Sequence, residues 1–153
     1  MKRIRCEWGE VTVACKMLAG RLQADEYDSI VGISRGGLIP ATIIAETLNI
    51  RELRTVGVRS YGLRDNTKLG KPVLYQMCTP YLRGRVLLVD DISDTGDTFE
   101  FILSHFRKNQ AIEKVTTCSL YVRKGTTHVP NYYHTEIVGK DWVVFPWEVE
   151  PST

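Results

Sequence analysis

Val86 to Thr98 reads VLLVDDISDTGDT, and the fold class follows from this stretch. Val86, Leu87, Leu88 and Val89 form an apolar run with no polar interruption, the pattern of a strand covered on both faces. Asp90 and Asp91 follow at once, and then Ser93, Asp94, Thr95, Gly96, Asp97 and Thr98. Phe99, Ile102, Leu103 and Phe106 recur on one face of a helix. The unit is therefore strand, polar loop, helix. In an open parallel sheet, ligands settle beyond the carboxyl ends of the strands, so the loop is where a ligand is expected.

Each residue type in the loop has a use. Thr95, Gly96 and Thr98 expose backbone N–H groups, and the following helix points its unpaired N–H groups and positive dipole end at the same place. A phosphate is well held there. Adjacent carboxylates repel phosphate but accept hydrogen bonds from vicinal hydroxyls, which a ribose offers. Phosphate beside a sugar diol means a ribose 5-phosphate. Asp97 would repel the phosphate; followed three residues later by Glu100, it reads as a helix N-cap turned partly away. The G-x-x-x-x-G-K-[ST] pattern of a P-loop is absent.

VLLVDDISDTGDT resembles the phosphoribosyl diphosphate (PRPP) motif of the type I phosphoribosyltransferases: four apolar residues, two acids, then D-T-G-x-T. The resemblance implies that Ser93, Asp94, Thr95, Gly96, Asp97 and Thr98 join Asp90 and Asp91 in holding PRPP. It also implies Mg2+ bridging pyrophosphate and ribose hydroxyls. Asp90 and Asp91 would touch that ion weakly, mostly through substrate and water, because the hard cation keeps oxygen ligands from both.

Working outward toward the N-terminus, Asp28 to Ile33 predicts a strand and Leu38 to Leu48 a helix, with Pro40 tolerated in its first turn. Ser34, Arg35, Gly36 and Gly37 lie between them, a glycine turn with a fixed positive charge and a second candidate anion site. SRGGLIP resembles the pyrophosphate loop of the 6-oxopurine branch of the family, and the likeness implies a cis peptide at Arg35-Gly36. Trp8, Val11, Cys15, Leu18 and Leu22 predict a helix over about 8–24.

Leu53 to Val58 reads as a strand leading into RSYGLRDNTKLGKP, which is basic, punctuated by glycine and almost free of apolar residues. The expectation is a lid over about 59–73 that folds over a pyrophosphate-bearing substrate and excludes water. Ser60 and Tyr61 resemble the serine-tyrosine pair that heads the family's flexible catalytic loop. Val73 to Met77 returns along a hairpin, a helix ends near Lys108-Asn109, and Lys114 to Val122 predicts a further strand.

The segment from Arg123 onward is where a base is to be recognised. Trp142 to Glu148, WVVFPWE, sets three aromatics and a proline close together, and a ring there can stack on a planar heterocycle. It resembles the purine-binding segment of small xanthine-guanine phosphoribosyltransferases. That likeness makes Trp142 the stacking residue, the Val143 backbone a hydrogen-bonding partner, and Glu148 a contact to the exocyclic groups. The family also places a cation on the purine 6-oxo group, for which Arg123 and Lys124 compete.

At 153 residues, with 43% hydrophobic and 25% charged content, the chain suits one domain spanning 1–153. Its core is expected over about 25–122 and a purine-binding hood over about 123–150. A net charge of +2 without a basic cluster argues against nucleic acid, and no apolar run argues for a membrane. Cys6, Cys15, Cys78 and Cys118 lack metal spacing, and the apolar neighbours of Cys15 and Cys118 read as those of small buried hydrophobes in a cytoplasmic protein. His105, His128 and His134 also lack metal spacing and read as surface residues.

The resemblance implies an α/β fold with a mostly parallel central sheet, helices on both faces and a small hood from the terminal segments. It implies purine salvage: transfer of the 5-phosphoribosyl group from PRPP to N9 of guanine, xanthine or hypoxanthine, by a homodimer or homotetramer. Asp90 and Asp91 would stabilise positive charge on the ribose, and Asp94 would take or share the purine N7 proton. Exposed carboxylic acids are strong beside a purine N–H, so that help is hydrogen bonding more than full transfer. The alternatives are transfer to adenine or a pyrimidine, and a non-catalytic PRPP or nucleotide sensor.

Overall fold

The structure, a computed structural model, describes residues 1–62 and 69–149; the side chains of 60–62 and 69–71 lie outside that description, as does most of the expected lid. Strand β1 (Arg3–Arg5) is followed by α1 (Trp8–Arg21), β2 (Ser29–Ser34), α2 (Leu38–Leu48), β3 (Leu53–Gly62) and β4 (Leu69–Gln76). Then come β5 (Gly84–Ser93), α3 (Asp97–Phe106), β6 (Ile112–Arg123), β7 (Tyr132–Ile137) and β8 (Trp142–Val144).

Six strands form one sheet in the order β4-β3-β2-β5-β6-β7. All neighbours are parallel except β3 and β4, an antiparallel hairpin at one edge. The expected mostly parallel sheet is therefore found. Strands β1 and β8 form a separate two-stranded parallel sheet that joins the two terminal segments.

Alternation along β5 explains the layers. Leu87 and Val89 face a core built with Val11, Cys15 and Leu18 of α1 and Ala41 and Ile44 of α2. Val86 and Leu88 face the other way, toward Phe99, Ile102 and Phe106 of α3. All four strand residues are fully buried, as a strand covered on both faces requires. Burying Phe99, Ile102 and Phe106 stabilises the sheet–helix contact by about 1.5–3 kcal/mol per side chain. Helix α1 starts with a capping box in which Glu7 N–H donates to Glu10 Oε2 at 2.7 Å.

Several expectations are corrected. Strand β5 runs through Ser93, so Asp90 and Asp91 sit within the strand instead of in the loop after it; pairing with β6 extends to Ser93–Val122 and holds them extended. Helix α3 ends at Phe106, short of Lys108-Asn109, and α1 at Arg21, short of 24. Of the expected hood over 123–150, only β8 enters the small sheet, because β7 pairs with β6 and extends the main one. Among the described residues, no helix is long and apolar enough to cross a membrane.

Candidate active site

The carboxyl ends of β2 and β5 lie side by side: Gly32 faces Val89 in the register. The two loops therefore meet. A Cβ at Gly36 would collide with the Asp91 carboxylate, and one at Gly37 with the carbonyl of Val89. Only glycines let the 34–37 turn lie this close to the acid-bearing strand. The cis peptide is at Ser34-Arg35, one residue before the position the resemblance implied. Gly37 N–H donates to Ile33 O at 2.8 Å, closing the turn onto β2. Arg35 is exposed at its tip.

Asp90 is buried and Asp91 partly so. Each accepts a hydrogen bond from the next backbone N–H, Asp91 N to Asp90 Oδ1 at 2.9 Å and Ile92 N to Asp91 Oδ1 at 2.7 Å. Burial, followed by the charge of Asp91, pushes the Asp90 carboxyl far up. Burial also pushes Asp91 up, to about 6, and nearby Glu148 adds to the rise. Two adjacent buried carboxylates resist double ionisation until hydroxyls or a cation arrive.

Asp90 through Gly96, with Thr98 and Phe99, line a cavity of about 250 Å³ at the start of α3. Gly96, with φ 94°, is the residue that caps the helix, and Asp97 is its first residue. The expected N-cap role of Asp97 is thus corrected: the left-handed turn needs glycine, so the cap falls one residue earlier. Glu100 is occupied elsewhere, 3.1 Å from His128 Nδ1.

A strap at 126–128, not foreseen from the sequence, braces this turn. Thr127 donates to Thr95 O from both N–H and Oγ1 at 2.9 Å. Ser93 Oγ donates to His128 O at 2.7 Å, so Ser93 is spent on the scaffold. His128 is partly buried, against its expected surface role: its ring stacks on Phe99 and its Nε2 lies 2.9 Å from Thr117 Oγ1. No local motif marks these residues, since their partners lie on β5, β6 and α3.

Arg123, one of the two candidate cations, is held by three partners. Its Nε pairs with Asp94, while Nη1 donates to Gly139 O at 2.6 Å and Nη2 to Asp141 O at 2.8 Å. Lys124, in the turn just past the end of β6, is exposed. Arg123 thereby ties Asp94 to the segment leading into Trp142. Phe145 is buried and stacks on Trp147 at 4.8 Å, and Trp147 also meets Trp8, so these rings are spent on packing. Trp142 is 51% exposed and free to take a flat partner. Val143 is buried with its backbone in register with Ile4, and Glu148 is exposed. The side chains of Ser60 and Tyr61 lie outside the described residues.

Among the described residues, no group of three or more His, Cys, Asp or Glu could hold a metal. The donor set at Asp90 and Asp91 fits an ion carried in by a phosphate ester better than a resident one. A larger hollow of about 860 Å³, lined by Asp28, Glu52, Arg54 and Glu113 among others, lies at the amino ends of the strands. It is remote from both loops, and size alone does not make it the site.

Residues 7–152 match the family model described as "Phosphoribosyl transferase domain". A xanthine-guanine phosphoribosyltransferase of Idiomarina loihiensis is 32% identical over 146 residues, covering 93% of this chain and 84% of that protein. The crystal structure of a purine phosphoribosyltransferase from Pyrococcus horikoshii superposes with a TM-score of 0.85 at 31% identity, covering 100% of this chain and 98% of the other. A xanthine-guanine-hypoxanthine phosphoribosyltransferase of Helicobacter pylori shares the fold with a TM-score of 0.81 at 19% identity, covering 96% and 94%. With two loops and an acidic strand end converging as described, the chain belongs to the phosphoribosyltransferase family.

Proposed function

We propose that this chain transfers the 5-phosphoribosyl group of PRPP to N9 of a 6-oxopurine, guanine, xanthine or hypoxanthine, and releases pyrophosphate. The observation that carries the reading is that Arg123 joins Asp94, beside the acidic cavity, to the backbone just before Trp142, an indole half exposed to solvent. Sugar and base ends of a nucleotide would each find chemistry suited to them across that link.

In this reading, amides of Thr95 to Thr98 and the N-terminus of α3 hold the 5′-phosphate. Asp90 and Asp91 accept hydrogen bonds from the ribose hydroxyls, and the 34–37 turn takes the pyrophosphate. As the C1–oxygen bond to pyrophosphate breaks, positive charge grows on the ribose ring, and the buried carboxylates meet it where dielectric screening is low. The N9–C1 bond forms, and the proton displaced from the base is shared with Asp94. Mg2+ arriving with PRPP would neutralise the diphosphate, with Asp90 and Asp91 as its nearest protein donors. Arg123 keeps unused N–H donors for the 6-oxo group, Trp142 stacks on the ring, and the Val143 backbone and Glu148 contact its edge. Ser60 and Tyr61 head the lid.

The setting proposed is cytoplasmic, consistent with four free buried cysteines, and the active form a homodimer or homotetramer, consistent with exposed Trp8, Val13 and Met17 on α1. Pyrophosphate release with PRPP and Mg2+ is to be measured for guanine, xanthine, hypoxanthine and adenine in parallel. Turnover is expected with 6-oxopurines and not with adenine. Asp94→Asn is expected to lower kcat by about 10²-fold while sparing PRPP binding. Tight PRPP binding with no pyrophosphate release for any base would overturn the reading in favour of a sensor.

A further inference from the structure

Ser34, at the end of β2, faces Gly57 of β3, and Gly57 in turn faces Gln76 of β4. The next pair is Val58 with Leu74, so Tyr75 has no partner and forms a bulge on β4. A bulge takes its extra residue out of the regular alternation and re-aims the side chain. Here the ring lies across Gly57, where a Cβ would run into its carbon atoms. Across that bare backbone, Tyr75 Oη donates to Ser34 Oγ at 2.9 Å. The Arg59 guanidinium sits 4.6 Å from the ring centroid on the other side, a cation–π contact.

A bulge, a missing side chain and a stacked cation thus serve one hydrogen bond. Core packing does not explain it, because Tyr75 is 43% exposed. The hydroxyl reaches two strands over, from the hairpin that carries the lid segment to the first residue of the turn pressed against Asp91.

We propose that Tyr75 is a positioning residue for the pyrophosphate group, a tether that fixes Ser34 and hence the amides of the 34–37 turn from the base of the hairpin. The proposal rests on reading that turn as the pyrophosphate site. A tether of this kind acts equally before and during bond breaking, so it governs KM for the diphosphate-bearing substrate and leaves kcat alone.

Tyr75→Phe keeps the ring and the Arg59 stack and removes only the hydroxyl. It is expected to raise KM for PRPP, and for pyrophosphate in the reverse reaction, about three- to tenfold, with kcat and base KM within about twofold. Ser34→Ala is expected to do the same, and the double variant to add nothing. Gly57→Ala, which displaces the ring but keeps its hydroxyl, is expected to match Tyr75→Phe. Arg35→Ala serves as control. If it raises KM for PRPP while Tyr75→Phe and Gly57→Ala do not, the tether is overturned and the turn's role stands. If Arg35→Ala also leaves both KM values unchanged, the turn is not the pyrophosphate site and the proposal falls with that reading.

Discussion

Asp91 shows how one carboxylate ties folding to binding. Its pKa of about 6 lies above the value of about 3.9 for a free aspartate, so the unliganded fold holds that proton more tightly than the unfolded chain does. Between pH about 4 and about 6 the native state binds more protons than the unfolded chain, and its contribution to stability falls as pH rises. Asp91→Asn should remove that slope and stabilise the unliganded protein at pH 7 by on the order of 1 kcal/mol, read from denaturation midpoints. Ribose hydroxyls and a cation favour the ionised form instead. PRPP binding should therefore release a proton near pH 6 and weaken about tenfold per unit below it, as calorimetry in buffers of different ionisation enthalpy would measure. Absence of proton release would separate Asp91 from the ligand.

At this scale the sequence was partly readable. Asp90 and Asp91 were picked out by their adjacency, Asp94 by its place after them and Gly36 by its glycine turn; that turn lies against Asp91 on β5, and Asp94 lines the same cavity as the acid pair. The surroundings of Arg123 were not readable, because Asp94, Gly139 and Asp141 reach its guanidinium from distant positions in the chain. Tyr75 left no trace at all: a bulge is a property of pairing between strands, not of either strand's composition.

The turn into α3 works through its cap. Gly96 holds φ 94°, and a Cβ there would collide with Thr127 Oγ1 and stand 2.5 Å from His128 N. Gly96→Ala is expected to cost about 2 kcal/mol or more of stability and to weaken PRPP binding, both measured against the parent by denaturant titration with and without PRPP. Unchanged affinity in a folded variant would separate the cap from phosphate binding. Elements with long apolar periodicity, α2 and β5 above all, were legible because burial fixes their faces. Strand β7 was not: YYHTEI has no continuous apolar run, and only Ile137 is buried, so its place in the sheet comes from pairing with β6. Strand β1 is too short at three residues to show a period.

Across the whole molecule, the proposed phosphate and base ends of the site rest on different supports. The proposed PRPP side is built from β2, β5 and their loops, inside the main sheet. The proposed base side rests on β8, whose partner is β1: Trp142 N–H donates to Lys2 O at 2.8 Å, and Lys2 N–H donates in turn to Asp141 Oδ1 across 139 residues of chain. Closing so long a loop is entropically costly, and the ladder itself is only three residue pairs long, which makes this sheet the part expected to open first. Removing residues 1–5 should raise base KM about tenfold and leave KM for PRPP within about twofold, by steady-state kinetics. Equal losses for both substrates would mean that the two ends are not separately supported.

Parallel pairing between opposite ends of the chain sets a rule for hybrids. Swapping in a relative's segment around Trp142 to alter the preferred purine transplants only half of a unit, because Arg3, Ile4 and Arg5 supply the other half of each backbone ladder. A chimera that imports both pieces together should keep its new preference, whereas one that imports the later piece alone should bind every base poorly.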